Sequence, residues 1–478
     1  MSDLTARLPR QYLSRVVMSV AMLLAAVGCG SSDDSSSPAS GHLQMINGLN
    51  DSPDLKFELR DDENDVVASS ESFGFQRASA LLDLSEGVYE LEITVDDPNS
   101  GFEDELIQRE IEIHEDVIQT VVLEGSLASN AVCMIEKDAG DLEEPREDGE
   151  DDLLELQVIN LSADTVSVYL ADEADRPDQE NLVGTVTSGS QSDPVDFVFD
   201  EDADYRVRLT ADASEELLFE SNEVEFSPNT RTTIVVHDNV GPDPSSRNVW
   251  LVRDDGTASQ QNRLAKSGFR VVNLAQDAAD AAITVTNDVG DVDLFSATMS
   301  PLDIGSFTRA NSGFVRIEAH APSGAAARET ASVSLDPDTA YSLLVTGSGG
   351  QSGNGLLMRA NVMNFRSVAN SINVHFINAL SETDVEDINE VDFYALDDND
   401  SLSGSSPVLS GVGFLQGGSV VLDAKSYRFL ITTANTHSIL AGPEPLPAPE
   451  GRSKYIVTAS EAVGGGTPII VRVNPQDE

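Results

Sequence analysis

The chain has 478 residues, and its 83 Asp and Glu against 28 Lys and Arg give a formal net charge of -55. This excess of carboxylates excludes ordinary nucleic-acid binding, because phosphate recognition requires a basic face. The same charge disfavours adsorption to anionic lipid headgroups. The length suggests about three or four domains, and a hydrophobic content of 40% is enough for each domain to bury a core.

The first 28 residues have the composition of a secretory signal. Three arginines precede an apolar run, residues 16–27, that contains one polar residue. Such a run is too short to span a bilayer as a stable helix but suits a signal peptide. We therefore predict a signal peptide at 1–28, followed by a flexible tether rich in Ser and Asp at 29–40.

The end of this run resembles a bacterial lipobox, with Gly28 before Cys29. The resemblance implies that Cys29 is diacylated and becomes the mature N-terminus, which would hold the protein on a membrane. Ala26 stands where the family more often has Leu, and an ordinary signal peptide with an incidental cysteine is the alternative. Gly30, where Asp would retain the protein at the inner membrane, implies the outer membrane.

Four segments of the chain open alike, with an apolar-x-apolar-apolar-Asn motif. The asparagines lie 113, 113 and 105 residues apart, at Asn47, Asn160, Asn273 and Asn378. Each motif is followed by a strand pattern of period two, an acidic turn, a strand that starts at an aromatic residue and two closing strands. About seven strands per copy, frequent turns and poor helical periodicity predict an all-β chain of four tandem Ig-like antiparallel β-sandwich domains.

The predicted domains are separated by short polar or acidic segments, and they occupy residues 41–138, 153–255, 268–362 and 371–475. In the third domain, the segment that ends at Tyr341 predicts a tyrosine corner, in which the phenol caps a turn between strands. The last linker, 361–371, is short and less polar than the others, which predicts closer packing of the last two domains.

The repeated pattern resembles the domain-of-unknown-function 4397 family, which consists of bacterial Ig-like repeats found in secreted proteins and lipoproteins. The features that carry the resemblance are the Asn-closed opening, the aromatic strand start and the paired closing strands, over residues 41–475. The third copy departs from the pattern at Phe314, and the fourth has an insertion near 381–390. The resemblance implies the fold but no activity.

No catalytic or cofactor-binding motif is present in the sequence, and we predict a protein that is not an enzyme and holds no cofactor. The six histidines are dispersed, and the glycine-rich segments 349–355 and 464–466 fit hairpin loops better than phosphate-binding loops. Cys133, in an apolar stretch, is expected to be a buried, inert thiol.

Acidic residues cluster after the second strand of three domains and leave calcium binding open. They are Asp61, Asp62, Glu63 and Asp65; Asp288, Asp291 and Asp293; and Asp397, Asp398 and Asp400. Solvated acidic loops are the simpler interpretation, and a surface adapted to high salt also fits the many Asp and few Lys residues. The hypothesis with the most support is an outer-membrane lipoprotein, on the periplasmic or cell-surface face, that presents Ig-like repeats for contact, adhesion or scaffolding with a protein or glycan partner. The alternative is a calcium- or polysaccharide-binding module.

Overall fold

The computed structural model describes residues 40–97, 102–138, 153–172, 177–200, 203–211, 216–253, 256–275, 280–288, 292–320, 328–346, 357–380, 390–397, 399–461 and 469–476. The predicted signal peptide, Cys29, nearly all of the tether, most of the acidic linker before residue 153, and both glycine-rich segments lie outside these ranges. The chain divides into Met1–Pro38 and Ala39–Glu478, and the second of these is a single compact unit.

The described residues form the predicted all-β fold of tandem β-sandwiches, here called units 1 to 4. Unit 1 contains β1 (Ser40–Leu49), β2 (Leu55–Arg60), β3 (Val66–Phe73), β4 (Arg77–Ala78), β5 (Leu82–Ser85), β6 (Gly87–Asp97), β7 (Phe102–Ile113), β8 (Val117–Ser126) and β9 (Ser129–Asp138). Unit 2 contains β10 (Leu153–Asn160), β11 (Val166–Asp172), β12 (Leu182–Val186), β13 (Ser190–Gln191), β14 (Val195–Val198), β15 (Tyr205–Ala211), β16 (Leu217–Glu220), β17 (Thr230–Asp238), β18 (Arg247–Arg253) and β19 (Gly256–Gln260).

The second half of the chain repeats this organisation. Unit 3 contains β20 (Ser267–Asn273), β21 (Ala281–Asn287), β22 (Asp293–Met299), β23 (Thr308–Ala310), β24 (Gly313–His320), β25 (Arg328–Leu335), β26 (Ala340–Thr346) and β27 (Leu357–Met363). Unit 4 contains β28 (Ser371–Asn378), β29 (Glu390–Leu396), a 3-10 turn (Leu402–Gly404), β30 (Leu409–Gly413), β31 (Gly417–Asp423), β32 (Tyr427–Thr433), β33 (Ile439–Leu446), β34 (Lys454–Glu461) and β35 (Ile469–Pro475). No helix in the described part of the chain has the length and apolar character needed to cross a membrane.

Each unit consists of two facing sheets, one containing its first strand and the other its second. In unit 3 the strand orders are β23-β20-β26-β27 and β22-β21-β24-β25, and the other units follow the same plan. The units have eight to ten strands rather than about seven, because short edge strands such as β13 and β19 have little hydrophobic alternation to reveal them. One pair per unit is parallel: β1 with β8, β10 with β17, β20 with β26 and β28 with β34.

The repeated asparagine stands at the end of the first strand of each unit. Its side chain forms hydrogen bonds with two backbone groups, a carbonyl of the other sheet and an N–H of the turn that follows. All four side chains are at most 1% exposed. In unit 4, the Asn378 amide donates to the Val412 carbonyl over 2.8 Å, and its oxygen accepts the Leu380 N–H over 3.0 Å. Asn47, Asn160 and Asn273 likewise donate to a carbonyl 26 residues later and accept the N–H two residues later. Because a buried polar group must be hydrogen-bonded, each asparagine links the two sheets of its sandwich.

The apolar residue before each asparagine has a different role, because it faces out of its own sandwich. Ile46 and Ile159 meet in a buried cluster with Trp250, between units 1 and 2. Val272 and Ile377 meet in a second cluster, between units 3 and 4. The sheet that carries the first strand is thus buried on both faces, which explains why the motif is apolar at two consecutive positions rather than alternating.

The same strands also place polar side chains in these two interfaces. The residue three positions before each asparagine is Gln44, Gln157, Arg270 or His375, and each is no more than 7% exposed. Gly48 allows the close approach of units 1 and 2, because a Cβ at this position would lie 2.5 Å from the Leu161 methyl carbon. The last linker predicts close packing of the last two domains, and units 3 and 4 do pack through a buried cluster, as do units 1 and 2.

The predicted tyrosine corner is confirmed in unit 3. The Asp336 N–H donates to the Tyr341 hydroxyl over 3.0 Å. In unit 2 the same bond joins the Asp200 N–H to the Tyr205 hydroxyl, but Tyr205 starts β15 of the other sheet. Phe314 occupies the corresponding strand start in unit 3, lacks a hydroxyl and is 59% exposed.

Replacing Asn378 with alanine tests the role of the repeated asparagine. The substitution leaves a buried carbonyl and a buried N–H without partners, so we expect the free energy of unfolding to fall by roughly 2–4 kcal/mol. Urea unfolding of the full chain measures this loss. Asn399→Ala, at an exposed turn position of the same unit, is the control and should cost less than about 0.5 kcal/mol. Equal losses in the two variants would contradict the role.

Candidate functional site

Two of the acidic turns that left calcium binding open, those of units 1 and 4, use some of their carboxylates within the protein. The Asp61 carboxylate accepts the N–H groups of Glu63 and Asp65 over 3.1 and 2.9 Å, which closes its own turn. In unit 4, the Lys425 ammonium lies 3.1 Å from Asp397 and 3.6 Å from Asp423. Asp291 and Asp398 lie outside the described residues. Within the described ranges, no three His, Cys, Asp or Glu side chains are grouped so that they could hold a metal ion.

Two of the histidines are buried at interfaces between units. His237 is 3% exposed, and its ring lies 2.6 Å from the Gln76 amide of unit 1 and packs on Trp250. His375, also 3% exposed, lies between the hydroxyls of Ser342 and Ser419, 3.0 Å from each. Burial lowers the pKa of His237 to about 3 and that of His375 to about 4. Both rings are therefore neutral at neutral pH and act as hydrogen-bonding groups between units.

Cys133 contributes to the interface between units 1 and 2, where it packs against the cluster around Trp250. The thiol is partly rather than fully buried, because β9 lies at the edge of its sheet. Burial, with a smaller contribution from Glu124, raises its pKa. A raised pKa keeps the thiol protonated and makes it a poor nucleophile.

The segment between units 3 and 4 joins the two pairs of units. Arg366, in this segment, donates to the backbone carbonyls of Asn50 and Ser52 in unit 1. Its guanidinium also lies 4.4 Å from the centre of the Phe75 ring. The Ala369 N–H donates to the Asp51 carbonyl over 2.7 Å. Burial lowers the pKa of Arg366 to about 10, which leaves it charged at neutral pH.

Where units 1, 2 and 3 meet this segment, they leave a cleft of about 470 Å³, here called the junction cleft. Unit 1 contributes Phe75 and Gln76, and unit 2 contributes residues 240–242, Asn248 and 259–261. Unit 3 and the following segment contribute 337–340 and 362–366. The volume lies within the range of about 300–1,000 Å³ that is typical of small-molecule sites, so the cleft is the candidate functional site.

Asp338 is the one carboxyl group among the described residues that line the junction cleft. It has a left-handed backbone conformation, with φ of 52°, and its carboxylate accepts a hydrogen bond from the Asn239 amide of unit 2. Gly241 makes room for it, since a Cβ there would lie 2.4 Å from the carboxylate oxygen. Burial raises the pKa of Asp338 to about 6, and the nearby Asp243 carboxylate adds to the shift. A perturbed carboxyl in a cleft is a mark of functional sites.

The sequence did not indicate this cleft or the residues that line it. Asp338 belongs to the segment that predicted the tyrosine corner, and Arg366 belongs to a segment treated as a linker. Their proximity depends on how the units pack, which no local pattern reports. The sequence signal that points to this place is the adjacent aromatic and cationic pair in the last linker, Phe365 and Arg366.

Comparisons with known proteins add no family and no activity. No family model matches the chain, and no curated protein matches it significantly. The resemblance to the domain-of-unknown-function 4397 family therefore stays a prediction.

Three solved structures illustrate the level of structural similarity. The Bacillus anthracis TIE protein is 9% identical over 89% of this chain and 75% of its own, with a TM-score of 0.16. A structure described as a putative cell adhesion protein from Bacteroides eggerthii is 11% identical over 45% and 96%, with a TM-score of 0.20. One from Bacteroides uniformis, described in the same words, is 9% identical over 46% and 100%, with a TM-score of 0.17. Scores this low carry no inference about function.

Replacing Asp338 with asparagine tests whether its carboxylate costs stability. The raised pKa means that ionising Asp338 is harder in the folded than in the unfolded chain. The cost is therefore present above about pH 6 and vanishes below about pH 4, where both states are protonated. We expect Asp338→Asn to raise the free energy of unfolding by about 1 kcal/mol near pH 8, with partial solvent screening included, and to give no gain near pH 3.5.

Urea unfolding at the two pH values measures this difference. Asparagine tolerates the left-handed conformation and still offers an oxygen to Asn239, so the backbone should not change. Asp204→Asn, at an exposed position, should give no gain at either pH. A loss of stability in Asp338→Asn at the higher pH would instead identify the carboxylate as a structural acceptor.

Proposed function

We propose that the protein is a lipid-anchored envelope protein that presents four packed β-sandwiches for contact, adhesion or scaffolding, without catalysing a reaction. The observation that carries the proposal is the packing of all four units into one compact body, Ala39–Glu478, directly after a predicted lipidated cysteine and tether. Such a body offers a fixed surface at a distance from the membrane, set by the length of the tether.

The internal contacts support a structural role for this body. The linker segment of Arg366 is bonded to unit 1, and Arg452 of unit 4 forms an ion pair with Asp51 of unit 1. Asn239 of unit 2 donates to Asp338 of unit 3. Contacts between units far apart in sequence hold their relative positions, and fixed positions favour presentation of a composite surface over flexible display of separate modules.

The location follows from the lipobox resemblance. Acylation of Cys29 would anchor the chain, because each buried methylene contributes roughly 0.8 kcal/mol and several chains on one residue hold firmly. Gly30 after the cysteine supports the outer membrane as the destination. The net charge of -55 supports attachment by acyl chains rather than by contact of the protein surface with anionic headgroups.

Substitution of the acylated cysteine tests the anchor. We expect Cys29→Ala to move most of the protein from the outer-membrane fraction to the soluble fraction, because no acyl chains remain to hold it. Cell fractionation and immunoblotting measure the distribution. Cys133→Ala changes the other cysteine of the chain and should leave membrane association intact. Recovery of the Cys29→Ala protein with the outer membrane would overturn the anchor.

A further inference from the structure

The junction cleft combines groups that suit a hydroxyl-rich ligand. Besides the Asp338 carboxylate, five carboxamide side chains line it: Gln76, Asn248, Gln260, Gln261 and Asn364. A carboxamide can make four hydrogen bonds. Contacts within the protein use one or two of these four in each amide. Gln260 donates to the Ala258 carbonyl and Asn364 accepts the Arg366 N–H. Gln76 bonds His237 and Ser259, Asn248 bonds Asn239 and Asp338, and Gln261 bonds Asn222 and the Pro337 carbonyl. Donor and acceptor capacity therefore remains for a ligand.

Apolar surface lies beside these amides. Phe75 and Phe365 are partly buried rings in the cleft wall. The Arg366 guanidinium lies over Phe75, while Phe307 and the Lys454 ammonium lie over Phe365, so these rings present their edges more than their faces. Val362 of the edge strand β27 lines the opening and is 59% exposed. A wall of planar amides next to ring and aliphatic surface matches a sugar, which has hydroxyls around its edge and C–H groups on its faces.

Charge indicates that the ligand is neutral. The protein carries a net charge of -55 and places the Asp338 carboxylate in the cleft, so an anionic ligand would be repelled. The Arg366 guanidinium also lines the cleft and offsets the charge of Asp338 there, so the cleft itself has no excess positive charge to attract an anion. Two of its nitrogens donate to the carbonyls of Asn50 and Ser52, and its face lies on Phe75, which leaves it poorly placed to bind an anionic group. A cationic ligand would be attracted by the net charge but would give the five carboxamides no role in recognition.

The carboxylate itself is a reason to expect a ligand. Burial makes Asp338 costly to ionise, and Gly241 is needed to accommodate it. Groups that cost stability persist where binding or chemistry uses them. A carboxylate has about four acceptor sites, so beyond the bonds from Asn239 and Asn248 the Asp338 carboxylate can still accept from a sugar hydroxyl.

We propose that the junction cleft binds a neutral glycan, as the short end of an oligosaccharide or polysaccharide. This deepens the proposed function, on which it rests, by assigning the surface partner to a neutral carbohydrate and its site to the place where units 1, 2 and 3 meet. Binding there depends on the packed body, since no single unit contains the whole cleft.

A panel of immobilised neutral oligosaccharides, with acidic oligosaccharides beside them, tests the proposal with the full chain purified in a detergent that contains no sugar. We expect binding to at least one neutral member. Val362→Arg should obstruct the opening and Gln261→Ala should remove an amide, and each should weaken that binding about tenfold or more. Both positions are exposed, so folding should persist, which circular dichroism checks.

Val421→Arg is the matched control, because Val421 is an exposed strand valine of unit 4 that does not line the cleft; it should leave binding unchanged. The proposal is overturned if no neutral glycan binds, if acidic glycans bind better, or if both cleft variants bind like the wild type. It is also overturned if the cleft binds only an extended peptide along β27. The membrane anchor can fail independently of the glycan site. In that case the Cys29→Ala protein would stay with the membrane and would still bind the glycan.

Discussion

The structure depends on one constraint: the sheet that contains the first strand of each unit is buried on both faces. Its inner face forms the sandwich core, and its outer face packs on the corresponding sheet of a neighbouring unit. The residue before each repeated asparagine belongs to this outer face, as Ile46 and Ile377 illustrate. Burying a valine or isoleucine side chain stabilises the folded state by roughly 1.5–3 kcal/mol. These clusters therefore stabilise the paired arrangement of the units over one in which flexible linkers separate them.

Paired units explain the other features of the body. Once the outer faces are covered, the segment between units 3 and 4 can reach unit 1, where Arg366 bonds to backbone carbonyls. The two pairs of units do not fill all the space between them, and the space that remains is the junction cleft. The cleft is lined by loops and edge strands, which are where proteins with rigid scaffolds usually carry binding residues. A structural constraint in the sheets thereby creates a candidate site that no unit has alone.

The fold was largely predictable from the sequence, and the site was not. Four copies of the motif and the turn spacing indicated four β-sandwiches, because hydrophobic periodicity is a local signal. The buried asparagines marked the strand ends for a reason that the hydrogen bonds of Asn378 make plain. The short edge strands were missed because they have little hydrophobic alternation, and the parallel strand pairs were missed because they depend on contacts distant in sequence. The cleft was missed for the same reason, because Asp338 and Gln76 are brought together only by packing between units.

Small-angle X-ray scattering of the purified protein tests the packing of the four units most directly. A compact body of this size should have a radius of gyration of about 22 Å, increased slightly by the N-terminal residues. Four sandwiches connected only by flexible linkers would give a radius roughly twice as large. A value near the first figure is the result that the packed arrangement predicts, and a value near the second would contradict it together with the junction cleft.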